Sequence, residues 1–162
     1  MNRKLSDLAS IAEIAASIAV VVTLLLVVAS MRENTNALQA NTYQELMRDL
    51  NDFRAAARDS GLSLSAEGFS EVLATGELEQ RERLGYLMLE IWGVFEAAFF
   101  ARERGVLGDN EWVRFDRMIC FERSWADDYK YWDSAPFGAV LPLTDVLTPY
   151  FVNYVDNQCQ RP

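Results

Sequence analysis

The sequence predicts an all-α protein in which an N-terminal transmembrane helix continues into a long stalk helix, followed by a compact antiparallel helical bundle. Three observations predict it. Residues 14–31, IAASIAVVVTLLLVVASM, form an uncharged run of eighteen residues, and a helix of about 20 residues crosses a hydrocarbon layer of about 30 Å. Residues 32–60 contain neither Pro nor Gly, and their apolar positions return at helical spacing. Beyond them, no apolar stretch alternates with the period of a strand.

Ile11 and Ala12 extend the first run backwards past Glu13. The run is apolar all round, whereas the helix of a soluble protein carries one apolar stripe. Its rival reading is a cleaved signal peptide with MNRK as the basic start and the small residues near Ser30 as the cleavage site. The run exceeds the usual apolar region of about 7–15 residues, and Asp7 and Glu13 are foreign to such a peptide. Residues 1–32 are therefore expected to be a membrane anchor and residues 33–162 a soluble acidic helical domain.

After a polar neck, RENTNALQANT, the residues Tyr43, Leu46, Leu50, Phe53 and Ala57 step by three and four, a short seam of the coiled-coil kind. A helix continuous from the anchor to the end of this stalk, residues 33–60, would run about 80 Å. Gly61 supplies the stop, where a left-handed residue ends a helix. A short apolar-sided segment at Phe69, Val72 and Leu73 precedes a turn at Thr75 and Gly76. Leu78 to Arg104 then reads as a second long helix with a stripe of Leu84, Leu87, Met88, Ile91, Trp92, Phe95, Ala98 and Phe99. Gly105 and Gly108 end it. Asp109 or Asn110 is the expected cap of the next helix, whose core face is Trp112, Phe115, Met118, Ile119 and Phe121. An irregular aromatic stretch follows, and Thr148-Pro149 reads as a cap with proline at the first helical position.

The formal charge is −9, and all of it lies in residues 32–162 because Arg3 and Lys4 balance Asp7 and Glu13. A domain this acidic lacks the basic patch that nucleic acid requires, and its field repels anionic head groups. Some 130 residues suffice for about one domain with its own core.

The order of these features resembles an uncharacterised family of small bacterial single-pass membrane proteins with an N-terminal transmembrane helix and an all-helical domain of unknown function. The family's junction looks like Q-I-R-Q-N-T-x-A-L-x-A-x-x-Y-Q. This chain has Ser30-Met31-Arg32-Glu33-Asn34-Thr35-Asn36-Ala37-Leu38-Gln39-Ala40-Asn41-Thr42-Tyr43-Gln44. Phe95-Glu96-Ala97-Ala98-Phe99, Gly105-Val106-Leu107, Glu111-Trp112, Tyr131-Trp132 and the run from Leu147 to Asp156 resemble later family motifs. The likeness implies the anchor-plus-domain architecture and no activity. The basic Arg3-Lys4 and the two cysteines depart from the family pattern.

Arg3, Lys4 and the α-amine precede the anchor, and only Arg32 follows it closely. The positive-inside rule then leaves the N-terminus in the cytoplasm of a bacterial inner membrane and the domain in the periplasm. The more basic junction usual in the family argues for the reverse, a cytoplasmic domain. Cys120 and Cys159 form one disulfide if the last helix lies against the helix holding Cys120, which suits a periplasmic domain. Otherwise they are two unpaired thiols, and the sequence leaves both open.

Histidine is absent, which removes the commonest general base and metal ligand. Two distant cysteines make neither a zinc nor an iron–sulfur site, and no phosphate-binding glycine motif occurs. No catalytic residue, cofactor or metal is therefore expected. Glu90 and Glu96 lie on the most apolar helix, with Glu96 expected to be hydrogen-bonded or paired with Arg102 or Arg117. Asp127-Asp128 is expected to be solvated surface.

Ala12, Ala16 and Ala19 are the candidate contacts for neighbouring membrane helices, at the small-residue spacing that permits close approach. Trp125, Tyr131 and Trp132 are the candidate contacts outside the membrane, because such rings are enriched at interfaces; the same rings also suit a bilayer-interface belt or the closed end of the helical core. The functional expectation is a non-enzymatic accessory or structural subunit of a membrane protein complex, partnered by integral membrane proteins and by no nucleic acid. That reading includes a homo-oligomer joined through the 43–57 seam; the alternative is a homo-oligomeric membrane-anchored sensor or scaffold of unknown ligand. A carboxylate-pair enzyme is a third reading.

Overall fold

A computed structural model describes residues 2–62, 65–135, 137–138 and 141–159, with the backbone alone for residues 2–12, 14 and 66. Every regular element among the described residues is helical. Six helices occur: α1 Asn2–Asp59, α2 Ala66–Thr75, α3 Leu78–Glu103, α4 Asp109–Asp128, α5 Leu143–Val146 and α6 Pro149–Cys159. The chain divides into two compact units, Met1–Leu38 and Gln39–Pro162.

In the first unit every side chain from Ala15 to Leu38 is exposed. The hydroxyls of Ser17, Thr23 and Thr35 donate to the carbonyls of Glu13, Ala19 and Met31, at 2.9, 2.8 and 2.9 Å. Ser17 and Thr23, both within the apolar stretch, thus satisfy their hydroxyl hydrogens within the helix, which suits a setting where water is scarce. Among the described residues, two helices are long and apolar enough to cross a membrane, α1 and α3. They differ in burial: none of the apolar window of α1 is covered, against 56% of that of α3. Packing within the domain accounts for the apolarity of α3.

The second unit takes in the C-terminal part of α1. Leu46, Leu50, Phe53 and Ala57 are buried and Tyr43 is half-buried, at the spacing read from the sequence. They are covered by the unit's own helices, with the Tyr43 ring edge-on to Phe115 at 6.5 Å. This corrects the expectation that the 43–57 seam joins two copies: its apolar face is already spent on the intramolecular core. From Gln39 onward α1 belongs to the second compact unit.

Gly61 adopts φ +69°, the left-handed conformation that ends α1. Ser65 caps α2 by accepting from the Gly68 N–H at 3.2 Å. Gln80 accepts from the Glu77 N–H at 3.1 Å, one arm of a capping box opening α3. The whole expected stripe of α3 is buried, joined by Val94 and Ala101. Gly105, at φ +71°, closes it.

Gly108 is the N-cap of α4, which corrects the assignment to Asp109 or Asn110. The Glu111 carboxylate lies where a Gly108 side chain would project, so glycine suits the position. Trp112, Phe115 and Ile119 are buried and Met118 half-buried, whereas Phe121 is 59% exposed. The reason is angular: Phe121 lies two residues past Ile119 and so faces the opposite side of the helix.

α3 packs against both α2 and α4, and α4 packs against α6. Trp92 sits at the centre, edge-on to Phe95 at 5.6 Å and tilted against Trp132 at 4.8 Å. The Cys120 and Cys159 sulfurs are bonded, with Cα atoms 4.9 Å apart, tying the end of α6 to α4 across 39 residues of sequence. A second tie lies nearby. Arg123 pairs with Asp127 and with Asp156 (3.4 Å), its guanidinium lies 4.6 Å over the Trp132 ring, and the Trp132 indole N–H donates to Asp156 at 3.0 Å.

Candidate functional site

Trp125, Tyr131 and Trp132 occupy two different settings. Tyr131 is 1% exposed and Trp132 4% exposed, so both are core residues and not surface contacts. Lys130 adopts φ 56°, and the Tyr131 N–H turns back onto the Ala126 carbonyl at 3.0 Å, folding both rings inward after α4. Tyr131 then meets Phe69 and Phe137, and Trp132 meets Trp92. Trp125 alone is half-exposed. Ala16 and Ala19 are exposed on α1, and the side chain of Ala12 lies outside the described residues.

The carboxylates singled out in the sequence make structural contacts. Glu96 accepts the Thr148 N–H at 2.7 Å, which caps the start of α6, and it pairs with neither Arg102 nor Arg117. Arg102 instead pairs with Glu103 at 3.2 Å and lies over Trp112. Glu90 is exposed. Asp128 is solvated as well, and Asp127 reaches Arg123. Among the described residues no cluster of carboxylates or thiols is arranged to hold a metal.

The off-stripe position of Phe121 creates a feature that helical periodicity alone does not reveal. Where it projects, a hollow of about 240 Å³ opens between α1, α3 and α4. Leu50, Phe53, Ile91, Phe95 and Met118 make its floor and walls, while Arg54, Arg117 and Glu122 complete the lining. A smaller hollow of about 80 Å³ adjoins it, sharing Phe53, Phe121 and Glu122 and adding Phe69, Met88 and Trp125. Together they form one apolar groove interrupted by three ionisable groups. All of its residues lie within Gln39–Pro162.

The charges in this groove are unevenly matched. Burial pushes the Glu122 carboxyl above its ordinary pKa, the direction expected when the charged form is desolvated. Arg54 and Arg117 take part in no ion pair among the described residues; the Arg54 guanidinium donates to the Asn51 side chain at 3.1 Å. Elsewhere, burial and then the Glu122 charge raise the Tyr131 pKa, which keeps that phenol neutral. Tyr150 is raised by its hydrogen bond to Glu103, at 2.9 Å.

Sequence reading missed Glu122 and Arg54 as site residues. The available signal was Phe121: an aromatic off the core stripe, followed directly by a carboxylate.

No protein-family model, no curated protein and no solved structure matches the chain.

Proposed function

We propose that the chain is a single-pass membrane protein of a bacterial inner membrane, non-enzymatic, serving as an accessory or structural subunit of a larger membrane complex. Residues 14–31 are its anchor, and the helices from Gln39 onward form an antiparallel bundle outside the bilayer. The observation that carries the reading is the bare apolar surface of α1. From Ala15 to Met31 every side chain is exposed among the described residues, and an apolar surface of that extent in water would drive aggregation. A bilayer and neighbouring helices are the environment that suits it.

The Cys120–Cys159 bond supports a periplasmic domain, since disulfides persist in oxidising compartments. Arg3 and Lys4 on the other side of the anchor agree with it. The likeness of the junction around Asn34-Thr35 to the anchored helical family supports the same architecture. Ala16 and Ala19 are the anchor positions for helix contact. Outside the membrane the contact surface moves from the buried Tyr131 and Trp132 to the groove at Phe121 and Trp125.

Native mass spectrometry after gentle extraction of the tagged full chain tests the subunit role. Co-purification of another integral membrane protein at fixed stoichiometry is expected, and recovery as a free monomer at every detergent strength would refute it. A stable homo-oligomer would favour the sensor or scaffold alternative.

A further inference from the structure

The geometry points to the groove between α1, α3 and α4 as a binding site for a single-chain anionic amphiphile, its acyl chain lying along Phe53, Phe95 and Phe121 and its head held by Arg54 and Arg117. The shape comes first. The larger hollow, about 240 Å³, is walled by apolar side chains, and the smaller one of about 80 Å³ continues it past Phe121 towards Trp125. Small-molecule sites are of this kind, mostly apolar with a few polar groups that fix orientation.

Charge selects the occupant. In a chain whose formal charge is −9, Arg48, Arg83, Arg102 and Arg123 pair with carboxylates, while seven other arginines with described side chains make no ion pair among the described residues. Arg54 and Arg117 belong to that second group, and both line the same hollow. Arg58, one turn after Arg54 on α1, is likewise without an ion pair there. The hollow is thus lined by two guanidinium groups and one carboxyl group. At physiological salt the field of distant carboxylates decays over about 8 Å, so the adjacent arginines decide what is attracted. Guanidinium groups suit a carboxylate or phosphate head, which they hold with charge-assisted hydrogen bonds.

Glu122 faces the apolar side of the same groove. Burial raises its pKa above the ordinary carboxylate value, the direction that weakens its opposition to an anion. Every lining residue lies within one unit, and because the same groove is the proposed partner contact, the inference rests on that reading only for which of the two occupants fills it.

The test uses the full chain in nanodiscs of neutral phosphatidylcholine, titrated with dibromostearate while tryptophan fluorescence is followed. Saturable quenching is expected, and Trp125→Phe should remove its saturable part. Arg54→Gln combined with Arg117→Gln should weaken binding about tenfold or more, since both charge-assisted contacts are lost. Glu122→Gln should bind at least as tightly as the parent. The methyl ester of the probe should give only unsaturable quenching through the bilayer. Equal saturable quenching by the ester, or unchanged binding by the arginine variant, would overturn the anion site. The opposite pattern, weakened by Glu122→Gln and strengthened by the arginine variant, would assign the groove to a cationic occupant such as a basic helix. Quenching that declines as protein concentration rises would assign it to a second copy. Retention of radiolabelled stearate reads the same comparison without fluorescence, should Trp125→Phe fail to fold.

Discussion

Replacing both cysteines, Cys120→Ser with Cys159→Ser, releases a loop spanning 39 residues. The bond's main effect is on the unfolded chain, where it denies the loop its freedom. With a loop of that size the chain-entropy relation gives about 4 kcal/mol of stabilisation. The domain from Gln39 to Pro162 holds roughly 120 residues, for which the usual unfolding entropy converts this to a fall in Tm of about 15 °C. Circular dichroism at 222 nm, a helix wavelength, would follow the melt of the full chain in a mild detergent, with the anchor helix as a constant background. Dithiothreitol should lower the parent's Tm to that of the double variant and leave the variant unmoved. The location of the bond adds a second expectation: because it fastens α6 to α4, its loss should expose Phe151 and Val155, both buried, and open α6 to proteolysis first. A double variant melting within about 3 °C of the parent would refute the reasoning, because the predicted loop entropy would be several times larger than the observed effect.

Three further outcomes follow from burial and charge. Phe115→Ala, at a fully buried position, should cost about 3–5 kcal/mol in urea unfolding, whereas Phe121→Ala should stay within about 0.5 kcal/mol; similar losses at both would contradict their opposite exposures. Glu122→Gln should raise Tm at pH 7 and converge with the parent in acid. The folded-state pKa lies above the reference of 4.5, so Glu122's favourable neutral form is present below that value and is lost as pH rises through the folded pKa; a variant equal to the parent at pH 7 would count against it. Leu25→Arg, in the middle of the bare apolar face, should cost about 3 kcal/mol of insertion and shift protein from the carbonate-resistant membrane fraction to the soluble one, and unchanged fractionation would argue against a span there.

Which parts of the fold could be read from the sequence depends on the scale of the signal. The α3 stripe from Leu84 to Phe99 is legible because a long amphipathic run repeats one signal many times. The stops at Gly61 and Gly105 are legible because both positions take positive φ, which glycine adopts without penalty. The cap of α4 was displaced by one or two residues because Asp109 and Asn110 carry the preferred cap chemistry, yet Gly108 has its helix start already crowded by Glu111. The burial of Tyr131 and Trp132 agrees with the reading that these rings close the end of the helical core, but the backbone turn that directs them inward has no signal in the sequence. It depends on a left-handed Lys130, a conformation that no local pattern announces in a non-glycine residue.

Periodicity states that a face is covered, and it is silent on what covers it. The seam at Leu46, Leu50 and Phe53 has the spacing of a dimer interface and is covered by the chain's own α3 and α4. Every side chain of the run from Ala15 to Met31 is exposed among the described residues. The two cannot be separated by hydrophobicity, since each is apolar enough to demand a partner; they separate because the seam is one-sided and alternates with charges such as Arg48 and Asp52, while the run is apolar on every side. A one-sided face can be satisfied by a single neighbouring layer within a domain, and an all-round face requires a surrounding medium. The groove at Phe121 is a third case. It is one-sided like the seam, yet the domain leaves it open, and its unpaired arginines restrict what can fill it in a way that apolar area alone does not.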